Sequence, residues 1–135
     1  MADYGMSTKL NRTMEEVKVK VVEALKTQGF GVITEIDMQK TLQQKLGVDF
    51  KPYQILGACN PRFAYRALLA DESIGLLLPC NVVLKLAGDG VEVSIQDPEV
   101  MFSVVDEETK KSMVGFPQEV KTSLQTVLAA LKSEA

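Results

Sequence analysis

Polar and apolar residues alternate from Tyr4 to Leu10, with Tyr4, Met6, Thr8 and Leu10 on one side and Gly5, Ser7 and Lys9 on the other. A period of two predicts a half-buried strand. The period then lengthens. Val17, Val21, Ala24, Leu25 and Gln28 fall on one face of a helix over about 14–28. Thr13 and Glu16 have the spacing of a capping box, and Gly29 is the C-terminal stop.

"GFGVITEID" reads as a second strand, ended by Asp37 as the cap of a short helix. Met38, Leu42 and Leu46 recur at steps of four in that helix, and Gly47 stops it. "YQILGAC" is a third strand. Asn60 then caps a helix with Pro61 at its first position, where the missing N–H is no loss. Phe63, Ala67 and Leu68 form its apolar stripe.

The stretch "IGLLLPCNVVLKLAGDGVEVSIQDP" predicts a hairpin, two β-rich arms around a turn at Gly88, Asp89 and Gly90. Asp97-Pro98 closes the second arm and opens a helical turn through "EVMFSVV". A last helix, about 117–132, carries the broadest apolar stripe of the chain: Val120, Leu124, Val127, Leu128 and Leu131. The order predicts an α+β fold, a single twisted antiparallel sheet of about five strands with two long helices packed on one face. The 135 residues suit a single domain with its own core.

Composition narrows the function. The chain has no histidine, which excludes Ser-His and Cys-His nucleophilic pairs and histidine-based zinc sites. "GFG" and "GDG" are a helix stop and a hairpin turn, and no phosphate-loop pattern occurs. The acidic groups Asp71-Glu72, Asp97 with Glu99, and Asp106-Glu107-Glu108 lie at element ends, where capping and solvation explain them. These features point away from an enzyme. A net charge of −3 argues against nucleic acid as the default partner. Residues 1–66 are net basic and 67–135 net acidic, read as two differently charged faces. No apolar run is long enough to cross a bilayer, and the start lacks a secretory pattern. A cytoplasmic location with reduced thiols is the expectation.

The remaining chemistry lies in two Cys-Asn pairs, Cys59-Asn60 and Cys80-Asn81, each beside a proline. One reading buries both cysteines as small hydrophobes, with Asn60 acting only as a cap. In the other, antiparallel pairing of the third and fourth strands brings both thiols to a shared cleft. There Arg62, Arg66 and the helix N-terminus would favour thiolate. The candidate ligand-binding residues are therefore Cys59, Asn60, Arg62, Arg66, Cys80 and Asn81. Cys59 and Cys80 are the candidate metal ligands. Two thiolates do not complete a tetrahedral zinc site alone, although a two-fold dimer could supply four.

"GACNPRFAYRALLADESIGLLLPCNVVLKLAGDGVEVSIQDPEVM" resembles the signature block of the family called domain of unknown function 302, and the earlier helix and strand resemble its opening. The motif positions are Cys59, Asn60, Pro61, Leu78, Pro79, Cys80, Asn81, Asp97 and Pro98. The resemblance implies an antiparallel α+β fold similar to a TATA-binding-protein half, often found as a homodimer. It implies no established activity, cofactor or substrate. Tyr53, Phe63, Tyr65 and Phe102 are the large apolar groups expected to serve a homodimer contact. The functional expectation is a non-enzymatic binding protein for a small ligand or soft metal, in a cleft around Cys59 and Cys80. A thiol redox or persulfide-handling protein, and a structural or partner-interaction module, are the alternatives.

Overall fold

Five strands form one antiparallel sheet in the order β1-β5-β4-β3-β2. The structure is a computed structural model and describes residues 3–134. The strands are β1 (Gly5–Leu10), β2 (Gly31–Asp37), β3 (Tyr53–Cys59), β4 (Cys80–Ala87) and β5 (Gly90–Gln96). The last four are neighbours in the order they occur along the chain. β1 adds on the far side of β5, pairing Ser7 with Ser94 and Leu10 with Val91.

Two long helices, α1 (Met14–Thr27) and α6 (Phe116–Lys132), pack against each other and on β1, β4 and β5. Their stripes are those the periodicity predicts. Val17, Val21, Ala24 and Leu25 are buried on α1; Val120, Leu124, Val127, Leu128 and Leu131 are buried on α6, together with Phe116. They close over Leu10, Leu56, Ala58, Val82, Leu84, Val91, Val93 and Ile95 from the sheet. Each Val, Leu, Ile or Phe side chain among them contributes about 1.5–3 kcal/mol when taken from water. The capping box at Thr13 and Glu16 is formed.

Shorter helices join the strands. α2 (Met38–Leu46) packs at the β2–β3 end and has no buried residue. α3 (Pro61–Ala70) follows β3 behind the Asn60 cap. α4 (Pro98–Met101) and α5 (Glu107–Ser112) lead from β5 towards α6, capped by Asp97 and Asp106. Asp97 also takes Lys121 of α6 at 2.9 Å, which ties α4 to the main helix.

The structure corrects the hairpin's first arm. Glu72–Leu77 forms a 3₁₀ helix, and the strand begins only at Cys80. Asp71 caps that helix through Ser73 N–H, so the apolar run that reads as strand is wound instead, burying Ile74. The helix over 107–112 follows a cap that sequence reading assigned, although its length did not show in the periodicity. The two charge-biased halves also meet directly: Lys20 pairs with Glu134 at 2.7 Å and Arg66 with Glu119 at 3.0 Å.

Phe63 and Phe102 are not surface groups awaiting a partner. Both rings pack on Phe116, with centroids 5.9 and 5.6 Å away and near-perpendicular planes. Phe30 extends the cluster, 6.0 Å from Phe63. Edge-to-face contact satisfies these rings internally.

Candidate functional site

Strand pairing brings the end of β3 to the start of β4, with Ala58 as the direct partner of Cys80 and Cys59 one residue further along. Side chains alternate faces along a strand, so this offset matters. Cys80 turns with Ala58 into the core and is buried. Cys59, at the end of β3, is half-buried. Both still help line one hollow, with Phe30, Phe63, Pro79 and Phe116 around it. The hollow measures about 30 Å³. That is room for about one water, not for a ligand.

Burial, helped by the neighbouring Cys59, pushes the Cys80 thiol up to about 11. The arginines do not reverse this. Arg66 is engaged by Glu119 and lies over the Phe116 ring, 4.9 Å from its centroid. Arg62 is exposed, and its backbone N–H donates to Asn60 Oδ1 at 3.1 Å. Asn60 itself is occupied twice: its oxygen caps α3, and its Nδ2 donates to the Gln28 carbonyl at 3.1 Å. Among the described residues no group of three or more Cys, Asp or Glu is placed to hold a metal ion.

Asn81 is parted from the other five. One step along β4 from Cys80, it projects from the opposite face of the sheet, which neither α1 nor α6 covers. The register lays out that open face in three ranks. Gly5, Gln96 and Asn81 form an amide rank, with Asn81 N–H donating to Gln96 Oε1 at 2.9 Å. Ser7, Ser94 and Val83 form the middle rank. Lys9, Glu92 and Lys85 form a charged rank. Successive ranks are two residues apart, about 7 Å.

These ranks, Lys9 apart, line a concavity of about 610 Å³, together with Tyr4, Ile95 and Met101. Its polar groups are linked. Ser94 Oγ donates to Glu92 Oε1 at 3.1 Å, and Ser7 Oγ lies 2.7 Å from Ser94 Oγ. A hydroxyl has one hydrogen, and that of Ser94 goes to the carboxylate, so Ser7 is the donor in the second bond. Lys85 Nζ stands 3.6 Å from Glu92 Oε1, close enough to attract but too far for a good hydrogen bond.

The sequence model of the family described as Domain of unknown function DUF302 matches residues 6–131. The chain belongs to the DUF302 family. Among solved structures it is similar to the crystal structure of an uncharacterized conserved protein DUF302 from Bacillus stearothermophilus, with 27% identity and a TM-score of 0.82. The likeness covers 96% of this chain and 98% of that one. No curated protein matched the chain.

Within this DUF302 chain, the residues of the larger concavity escaped sequence reading apart from Asn81. Their signal was present as alternation: "VEVSIQ" puts Glu92, Ser94 and Gln96 on one side, and "GMSTK" puts Gly5, Ser7 and Lys9 on one side. What alternation does not convey is that β1 lies beside β5. Only that adjacency brings Ser7 to Ser94, across 87 residues of chain.

Proposed function

We propose that this DUF302 protein is a non-enzymatic binding protein whose small ligand sits on the open face of the sheet, over Ser7, Asn81, Val83, Glu92 and Ser94. The observation that carries the reading is the concavity of about 610 Å³ on that face, set against about 30 Å³ at the cysteines. Sites for small molecules occupy roughly 300–1,000 Å³ and combine an apolar lining with a few convergent polar groups. The open-face hollow has both. With a thiol pKa of about 11, Cys80 would be thiolate in only about one molecule in ten thousand at pH 7. Soft-metal and redox roles that use both cysteines need the Cys80 thiolate, which its burial disfavours, and this supports the open face over the cysteines as the site.

A fragment panel titrated into ¹⁵N-labelled protein tests the reading. Hits should move the amides of Ser7, Asn81 and Ser94 together and leave Cys59 and Cys80 still. Hits gathered at Cys59, Asn60 and Cys80, with the open face silent, would return the site to the cysteines.

A further inference from the structure

The open-face hollow has a polarity that bears on what it would hold. Resting on the binding reading above, we infer that its ligand is a zwitterion of the α-amino-acid type bearing an apolar or aromatic side chain.

Charge balance comes first. One cation, Lys85, and one anion, Glu92, line the hollow. A ligand with a single sign of charge would face repulsion from one of them in a site only partly open to water. A molecule carrying both signs meets each with its opposite. Lys85 and Glu92 are also incompletely used by one another. At 3.6 Å they make no hydrogen bond, so the ammonium keeps its donors and Glu92 keeps its second oxygen.

The donors and acceptors are sorted by strand. β4 supplies Lys85 Nζ and the Asn81 side-chain amide, on either side of Val83. β5 and β1 supply Glu92 and, through the hydroxyl relay, Ser7. Because Ser7 spends its hydrogen on Ser94, its oxygen offers only lone pairs to the hollow. A carboxylate is therefore suited to the β4 side and an ammonium to the β5–β1 side. Adjacent strands stand about 4.8 Å apart, a span that the two charged groups of one α-amino acid bridge with their hydrogen bonds. Lys9 faces the same rank from β1 but leans to Asp89, 3.5 Å away, and is not among the lining residues.

The ligand's side chain has a separate place. Tyr4, Gly5 and Met101 all line the hollow, and Gly5 brings no side chain into it. A phenol ring and a thioether favour aromatic or apolar groups.

Three probes of one skeleton test the inference on the full chain by NMR titration: L-phenylalanine, 3-phenylpropionate without the ammonium, and phenethylamine without the carboxylate. Phenylalanine should shift the amides of Ser7, Asn81, Glu92 and Ser94, and each half-analogue should bind about tenfold or more weakly. Glu92→Gln and Lys85→Gln should each weaken phenylalanine by about tenfold while leaving the rest of the spectrum in place. Equal or tighter binding of either half-analogue overturns the zwitterion. Silence towards phenylalanine while neutral fragments still shift Ser7 and Ser94 overturns the zwitterion and leaves the open-face site standing. Silence of the open face towards every probe removes both.

Discussion

Cys80 shows how one residue's position on a strand decides its chemistry. Its register partner Ala58 directs it inward, where loss of water disfavours the charged thiolate. An unfolded cysteine loses its proton near 9.0, whereas folded Cys80 holds its own to about 11. Between those values the unfolded chain binds fewer protons, so stability falls as pH rises from about 9 to about 11. The loss is on the order of 2–3 kcal/mol and the full contribution is present below pH 9. Urea midpoints of wild type and Cys80→Ala should therefore converge as pH is raised across this window, and a constant gap would contradict the buried thiol. Cys80 should also resist iodoacetamide at pH 7.5 until the protein is unfolded. The Cys-Asn repetition marked two strand-to-turn junctions correctly but suggested one site. A single step along the strand sends Cys80 and Asn81 to opposite faces, and the alternation that puts Cys80 with Val82 and Leu84 against Asn81 and Lys85 already carried the sign of which turns inward.

At the scale of elements, capping and stripe were the readable signals. Thr13, Asp37, Asn60 and Asp97 each cap the helix that follows them, and the buried positions of α1 and α6 are the ones their periodicity marks. The wound segment at Glu72–Leu77 was misread because a short apolar run has no period of its own. Asn60 does more than cap. Its amide also holds the Gln28 carbonyl just beyond α1, so one side chain joins the end of one helix to the start of another. Asn60→Ala should cost about 1–2 kcal/mol in chemical denaturation. Asn60→Ser, which can cap but is too short to serve both partners, should recover about half of it. An alanine variant within 0.5 kcal/mol of wild type, roughly the spread of neutral surface changes, would show the junction to be incidental.

At the scale of the molecule, the resemblance implies a homodimer, and the exposed apolar residues suggest where it would form. We propose the β2–α2 end of the sheet. β2 is an edge strand, Ile36, Leu46, Val48 and Phe50 are exposed there, and Phe50 packs on Tyr53 with ring centroids 5.9 Å apart. An open edge bordered by apolar groups invites a symmetric partner. Light scattering at high micromolar concentration should then give about twice the 14.8 kDa of one chain, and a Leu46→Glu/Phe50→Lys pair should halve it. A wild type that stays at the single-chain mass would end the proposal, since an interface of about 1,600 Å² would hold at that concentration. Of the four groups the sequence suggested, only Tyr53 lies at this end, and Phe63 and Phe102 look equally available until Phe116 is seen to take both.

The position of β1 bears on the order in which such a molecule can be assembled. β2, β3 and β4 each pair with the next strand along the chain, whereas β1 must cross to β5, Ser7 and Ser94 being 87 positions apart. Loop closure grows costlier with length, by about 0.6 kcal/mol for each doubling, so this pairing carries the largest entropic penalty in the sheet. Contacts so distant in sequence are rewarded only once the chain between them has condensed. The hydroxyl relay from Ser7 through Ser94 to Glu92 spans that same seam. A nascent or partly opened chain with β1 undocked would possess both Cys-Asn junctions, yet have no open-face hollow to fill.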